Sequence, residues 1–73
     1  MDMNTTTYKN TILTYKTETH FFLINKYKYK DTITYILLDR SMMNDEDYYD
    51  EEIGRSESEV EIAEILKEYV KTL

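Results

Sequence analysis

The stretch HFFLINKYKYKDTITYILLD, residues 20–39, decides the fold class, because Phe, Ile, Tyr and Thr favour an extended chain and polarity alternates with a period of two. The alternation is cleanest over Lys26-Tyr27-Lys28-Tyr29-Lys30. In a strand it sets the ammonium groups on one face and the rings on the other. Working outward, strands are expected near residues 6–16, 20–29 and 32–39, with turns around Thr17–Thr19 and Lys30–Thr32. Asp31 is the residue expected to take the left-handed conformation that a three-residue hairpin loop requires. The hydrophobic pattern then points to odd-to-odd pairing, which gathers Phe21, Leu23, Tyr27, Tyr29, Ile33, Tyr35 and Leu37 on a core face, joined by Leu13 and Tyr15. The even face is mixed, with Ile12, Phe22, Ile24, Ile36 and Leu38 at one end and Lys26, Lys28 and Lys30 at the other.

A helix is expected over about residues 57–73. Ser56-Glu57-Ser58-Glu59 reads as a capping box, and Ile62, Ala63, Ile65, Leu66, Tyr69, Val70 and Leu73 form one apolar stripe at 100° per residue. Glu57, Glu59 and Glu61 early and Lys67 and Lys71 late suit the helix dipole. The intervening Ser41–Arg55 reads as a loop or a short helix, with Asn44 placed to cap its start, Gly54 its end, and Tyr49 and Ile53 facing inward. Carboxylate repulsion between Glu46 and Asp50, and between Asp47 and Glu51, argues against much helix. The expected fold is a single α+β domain over residues 1–73: a three-stranded antiparallel meander with one C-terminal α-helix packed on one face. One helix cannot cover both faces. Phe22, Ile24, Ile36 and Leu38 are therefore the expected self-association surface, forming a homodimer.

Seventy-three residues bury too little surface for a core worth more than roughly 3–5 kcal/mol, and with no Cys the chain has neither disulfides nor thiolate zinc sites to reinforce it. No signal peptide is readable at the N-terminus, and the longest apolar runs, Phe21–Ile24 and Tyr35–Leu38, are far short of a membrane span. The expected location is the cytoplasm, that of the host if the source is viral, without membrane contact. Scarce Pro, Gly, Ala and Arg beside abundant Lys, Ile, Tyr and Asn point to AT-rich coding DNA.

The charge is unevenly placed. Residues 1–36 hold five Lys against three acids, and residues 37–73 hold twelve acids against four basic residues, so the halves are +2 and -8 of the net -6. Asp45, Glu46, Asp47, Asp50, Glu51 and Glu52 crowd around Tyr48 and Tyr49. Such a run opposes folding by self-repulsion unless solvent or a basic partner offsets it. Its spacing fails as a calcium loop, since the sixth position from Asp45 is Asp50 rather than Gly, and counting back from Gly54 starts the loop at Tyr49. No metal or cofactor is expected. Glu57, Glu61, Glu64 and Glu68 add a negative ridge along the helix, opposite the apolar stripe. The Lys26–Lys30 alternation is read as edge-protecting lysines above core tyrosines, because rings and ammonium groups face opposite ways and the net charge opposes direct nucleic-acid binding. His20, the only imidazole, has no Cys or second His to work with, so no enzyme activity is expected.

In its short length, lack of Cys, Tyr content and acidity, concentrated in Asp45–Glu52 and the Glu57–Glu68 ridge, the chain resembles the small inhibitors that phages and mobile elements encode against host nucleic-acid enzymes, the anti-CRISPR proteins among them. The resemblance implies a protein that occupies the nucleic-acid site of a Cas nuclease or a similar enzyme. On that reading Asp45–Glu52 with Glu57, Glu61, Glu64 and Glu68 meet a basic groove, and Tyr48 and Tyr49 are the anchors. The alternatives are a small assembly subunit that associates through the even face, with acidity serving solubility, and an antitoxin-like regulatory module.

Overall fold

The computed structural model describes residues 8–42 and 48–73. They form four strands, β1 (Tyr8–Lys16), β2 (Phe21–Tyr29), β3 (Thr32–Met42) and β4 (Tyr48–Ser56), followed by one helix, α1 (Glu59–Lys71). The strands make one antiparallel sheet in the order β1-β2-β3-β4, with α1 packed on one face. The α+β class and the C-terminal helix match the sequence reading. The fourth strand does not: β4 is built from the stretch read as loop or short helix. Asp50, Glu51 and Glu52 are poor strand formers, but an edge strand keeps their charges in water while its ladder to β3 satisfies backbone groups on both strands. Gly54 lies inside β4 without a left-handed backbone, so it caps no helix.

The register also differs from the expected one. Tyr29 pairs with Thr32, so only Lys30 and Asp31 connect β2 to β3, and Lys30 rather than Asp31 takes the left-handed conformation, at φ 56°. A connection one residue shorter pairs odd positions with even ones throughout. Phe22 and Ile24 of β2 consequently share a face with Tyr35 and Leu37 of β3, and that face lies under α1, where Ile62 and Leu66 complete the core. Phe21, Leu23, Tyr27 and Tyr29 turn to the far face with Ile36 and Leu38. The expected self-association surface is therefore not formed as one patch. Phe22 and Ile24 are buried beneath the helix, while Ile36 and Leu38 are half-buried on the opposite side of the sheet.

Both edge strands are bulged. The β1–β2 register slips between Thr11 and Leu13, and the β3–β4 register slips opposite Leu37 and Leu38, leaving Ile12 and Ile53 as the extra residues. Each of these isoleucines packs against the core, so the bulges re-aim a side chain toward the helix layer and also blunt the two edges.

The helix begins two residues later than the capping box suggests. Ser58 is the N-cap, its Oγ accepting from the Glu61 amide at 3.2 Å, while Ser56 Oγ accepts from the Ser58 amide at 3.0 Å. Of the expected apolar stripe, Ile62 and Leu66 are buried and Ile65, Tyr69 and Val70 pack beside them, whereas Ala63 and Leu73 are exposed. Tyr69 meets Phe22 edge-on at 5.8 Å. A Cβ on Gly54 would come within 3.2 Å of Ile65 Cγ2, so a residue without a side chain lets the helix sit close to β4.

Two stability outcomes follow from this geometry. Lys30→Gly is expected to raise the urea midpoint, because it removes a left-handed L-residue that costs about 1 kcal/mol, and Lys30→Val is expected to lower it. Identical midpoints for both variants would show that the turn does not hold this conformation in solution. Leu37→Ala, at a fully buried central position, is expected to lose about 2–5 kcal/mol and leave the chain largely unfolded by circular dichroism.

Candidate functional site

β4 and α1 follow one another in the acidic half of the chain, and the helix packs back over the strand it has just left. A groove of about 490 Å³ opens between them. Its apolar floor comes from Ile53, Ile65 and Tyr69, and its rim from Glu61, Glu64, Glu68 and Thr72. The floor exists because Ile53 is the bulged residue, turned toward the helix rather than along the strand edge. The rim exists because Glu61, Glu64 and Glu68 recur at three- and four-residue spacing on the β4 side of α1. Glu57 is exposed before the helix and does not line the groove.

Strand alternation divides the acidic run between the two faces of the sheet. Glu51 lies opposite Asp39 on the helix side, and Asp50 and Glu52 lie opposite Arg40 and Leu38 on the far side. Asp50 is gripped by Arg40, with Nε donating to Oδ1 at 2.8 Å and Nη2 to Oδ2 at 3.1 Å. These hydrogen bonds hold the Asp50 carboxyl below its usual range against an opposing effect of burial, with the nearby Arg40 and Lys9 charges helping. Arg40 also lies 5.9 Å from the Phe21 ring centre. Glu52 is held by Arg55 through contacts of 3.0 and 2.7 Å, which lower the Glu52 carboxyl and raise the Arg55 guanidinium. Among the described residues Glu51, Glu61 and Glu64 make no ion pair, and Glu68 meets Lys71 only at 3.5 Å in an exposed contact of little energetic weight.

The expected site is thus partly assembled. Glu51, Glu61, Glu64 and Glu68 come to one flank, with Tyr49 61 % exposed on the same face two residues before Glu51. Strand alternation sends Asp50 and Glu52 to the other face, where arginines of the chain itself hold them. Asp45, Glu46 and Asp47 lie outside the described residues, and Tyr48 is described only by its backbone pairing with Met42. Lys26 and Lys28 do lie on the face opposite Tyr27 and Tyr29, but β2 is paired on both sides, so they protect no edge, and the two tyrosines face away from the helix-covered core. Ile53, Ile65 and Tyr69 were legible as apolar positions but not as the floor of a groove, because that depends on a bulge.

His20, partnerless in the sequence, does find a neighbour in the fold. Its Nε2 is 3.8 Å from Asp39 Oδ2, its Nδ1 is 2.6 Å from Thr19 Oγ1, and its ring stacks on Phe22 at 5.6 Å. Asp39 is 6 % exposed, and its Oδ1 has no hydrogen-bond partner among the described residues. Among the described residues no three His, Asp or Glu side chains are placed to hold a metal ion, and no helix is long and apolar enough to cross a membrane. No protein-family model, curated protein or solved structure matches the chain.

The Arg40–Asp50 pair has a pH signature. Asp50 titrates lower in the folded chain than the roughly 3.9 of an unfolded Asp, so its contribution is fully present above that value and is lost as pH falls through the lowered folded value. Asp50→Asn is expected to cost about 1 kcal/mol at neutral pH, and the gap to the native chain should close as the pH falls through the lowered folded value. Urea denaturation across that range measures it; a gap independent of pH would remove the ion pair from the account.

Proposed function

We propose that the β4–α1 flank binds a basic protein surface that normally holds nucleic acid, and that the chain acts by occupying that surface. The observation that carries the reading is the apolar floor of Ile53, Ile65 and Tyr69 inside a rim of Glu61, Glu64 and Glu68. Carboxylates alone steer encounter and weaken with salt, whereas a recessed apolar floor gives a partner's side chain a desolvated seat. Glu51, with exposed Tyr49 beside it, extends the same flank along β4. The glutamates recur at axial steps of about 4.5–6 Å along the helix, coarser than the ~3.4 Å phosphate spacing of one DNA strand. The surface is a negative ridge that competes for Arg and Lys side chains, not a replica of a duplex. A Cas nuclease or another basic nucleic-acid enzyme is the class of target this implies.

The fold also changes which carboxylates the reading depends on. Asp50 and Glu52 are already held by Arg40 and Arg55, so recruiting them would require breaking bidentate contacts. Glu51, Glu61, Glu64 and Glu68 carry the proposal.

Proteins retained from a host lysate on the immobilised chain at low salt, and released by added nucleic acid, identify the target. Against that target Glu61→Gln/Glu64→Gln/Glu68→Gln is expected to slow association about tenfold at low salt, with the difference shrinking as salt rises. Asp50→Asn should leave the association rate within about twofold of the native chain. If the triple variant associates at the native rate, or if nucleic acid and the chain bind the target together, the competitive reading fails.

A further inference from the structure

The helix layer is only half filled. An α-helix is about 10 Å across, four strands at about 4.8 Å spacing are wider, and α1 lies over β3 and β4. On the β1 side this leaves a second groove, of about 370 Å³, with Leu13 and Tyr15 of β1 and Leu66 and Val70 of α1 on its walls. Leu13 is 39 % and Tyr15 45 % exposed. Its charged residues are Lys67 and Lys71, so the grooves on the two flanks of one helix carry opposite charge.

We infer that the β1-side groove receives a second copy of this chain, which presents its acidic β4–α1 flank. The occupant is identified by charge found on the chain itself: ammonium groups edge the apolar surface on one flank, and carboxylates edge the apolar surface on the other. A two-fold contact through the β1-side groove would set Lys67 and Lys71 against their own copies, and a two-fold contact through the β4-side groove would set Glu61, Glu64 and Glu68 against theirs. Among contacts seated in these grooves, the head-to-tail one pairs opposite charges. It also suits the strand directions, because β1 and β4 run opposite ways and a neighbour placed side by side keeps the antiparallel alternation. With both edges bulged, the contact lies in the helix layer rather than in a continued ladder. A head-to-tail contact closes into a ring or extends as a chain of copies.

The inference needs no target protein, so its test is separate from that of the competitive reading. Light scattering and sedimentation of the whole chain, from about ten micromolar to about one millimolar, should show a mass that rises with concentration and association that weakens about tenfold between low and high salt. Lys67→Glu/Lys71→Glu and Glu61→Lys/Glu64→Lys, all at exposed positions, should each be monomeric alone with native circular dichroism. An equimolar mixture of the two should associate again, because the reversed charges complement each other. A native chain that stays monomeric over the whole range overturns the inference, as does a dimer of fixed mass that both reversed variants retain. Failure of the mixture to associate while the native chain does would also overturn it.

Discussion

The two-residue link Lys30-Asp31 constrains everything else in this molecule, because it sets the parity of the β2–β3 pairing. With Tyr29 opposite Thr32, Phe22 and Ile24 meet Tyr35 and Leu37, and these are the side chains onto which α1 closes. One residue more in the turn would put Phe22 and Ile24 on the face opposite Tyr35 and Leu37, and no face would hold a contiguous apolar centre of the same make-up. The link achieves this without a glycine, so Lys30 occupies the left-handed region itself. In a chain whose net stability is a few kcal/mol, the burial that register secures outweighs a local cost of about 1 kcal/mol.

The next constraint is coverage. A single helix over four strands leaves a trough on each flank, and the bulges at Ile12 and Ile53 partly fill the space by turning an isoleucine inward on each edge. The helix itself is divided lengthwise, with Glu61, Glu64 and Glu68 on its β4 side and Lys67 and Lys71 toward β1. The charge asymmetry visible between the halves of the sequence is thereby reproduced as an asymmetry across the folded molecule, since β1 belongs to the basic half and β4 with α1 to the acidic one.

The legible parts of the fold are those with a strong local period. The alternation through residues 20–39 gave β2 and β3 nearly to their ends, and the three- and four-residue recurrence of Ile62, Ile65, Leu66 and Tyr69 gave α1. Parity was not legible, because an apolar run such as Phe21–Ile24 has candidates for the core on both sides, and only the turn decides between them. β4 was hidden by its composition. Its Asp and Glu residues argue against a strand locally, and the pairing with β3 and the Arg40–Asp50 contact that override this are non-local. Of the glutamate ridge, Glu61, Glu64 and Glu68 were legible from spacing, whereas Glu57 falls before the helix because Ser58 and not Ser56 is the N-cap. The apolar floor beneath it was not, because Ile53 reaches the helix only through a bulge.

The acidic flank meets a second, less favourable feature at one end of the core. Asp39 is buried beside Phe22 with one carboxylate oxygen unpaired among the described residues, and its cross-strand neighbour on the same face is Glu51. His20, at 3.8 Å, is too distant for a hydrogen bond as it stands. A buried carboxylate facing another acid costs stability, and the ridge glutamates add to the same negative potential on the helix side of the sheet. These terms do not help the chain hold its own fold. A ligand that brings positive charge to this side and binds only the folded chain stabilises it by mass action. In the proposed complex with a basic surface, the carboxylates that oppose folding alone would be the groups through which binding and folding reinforce each other.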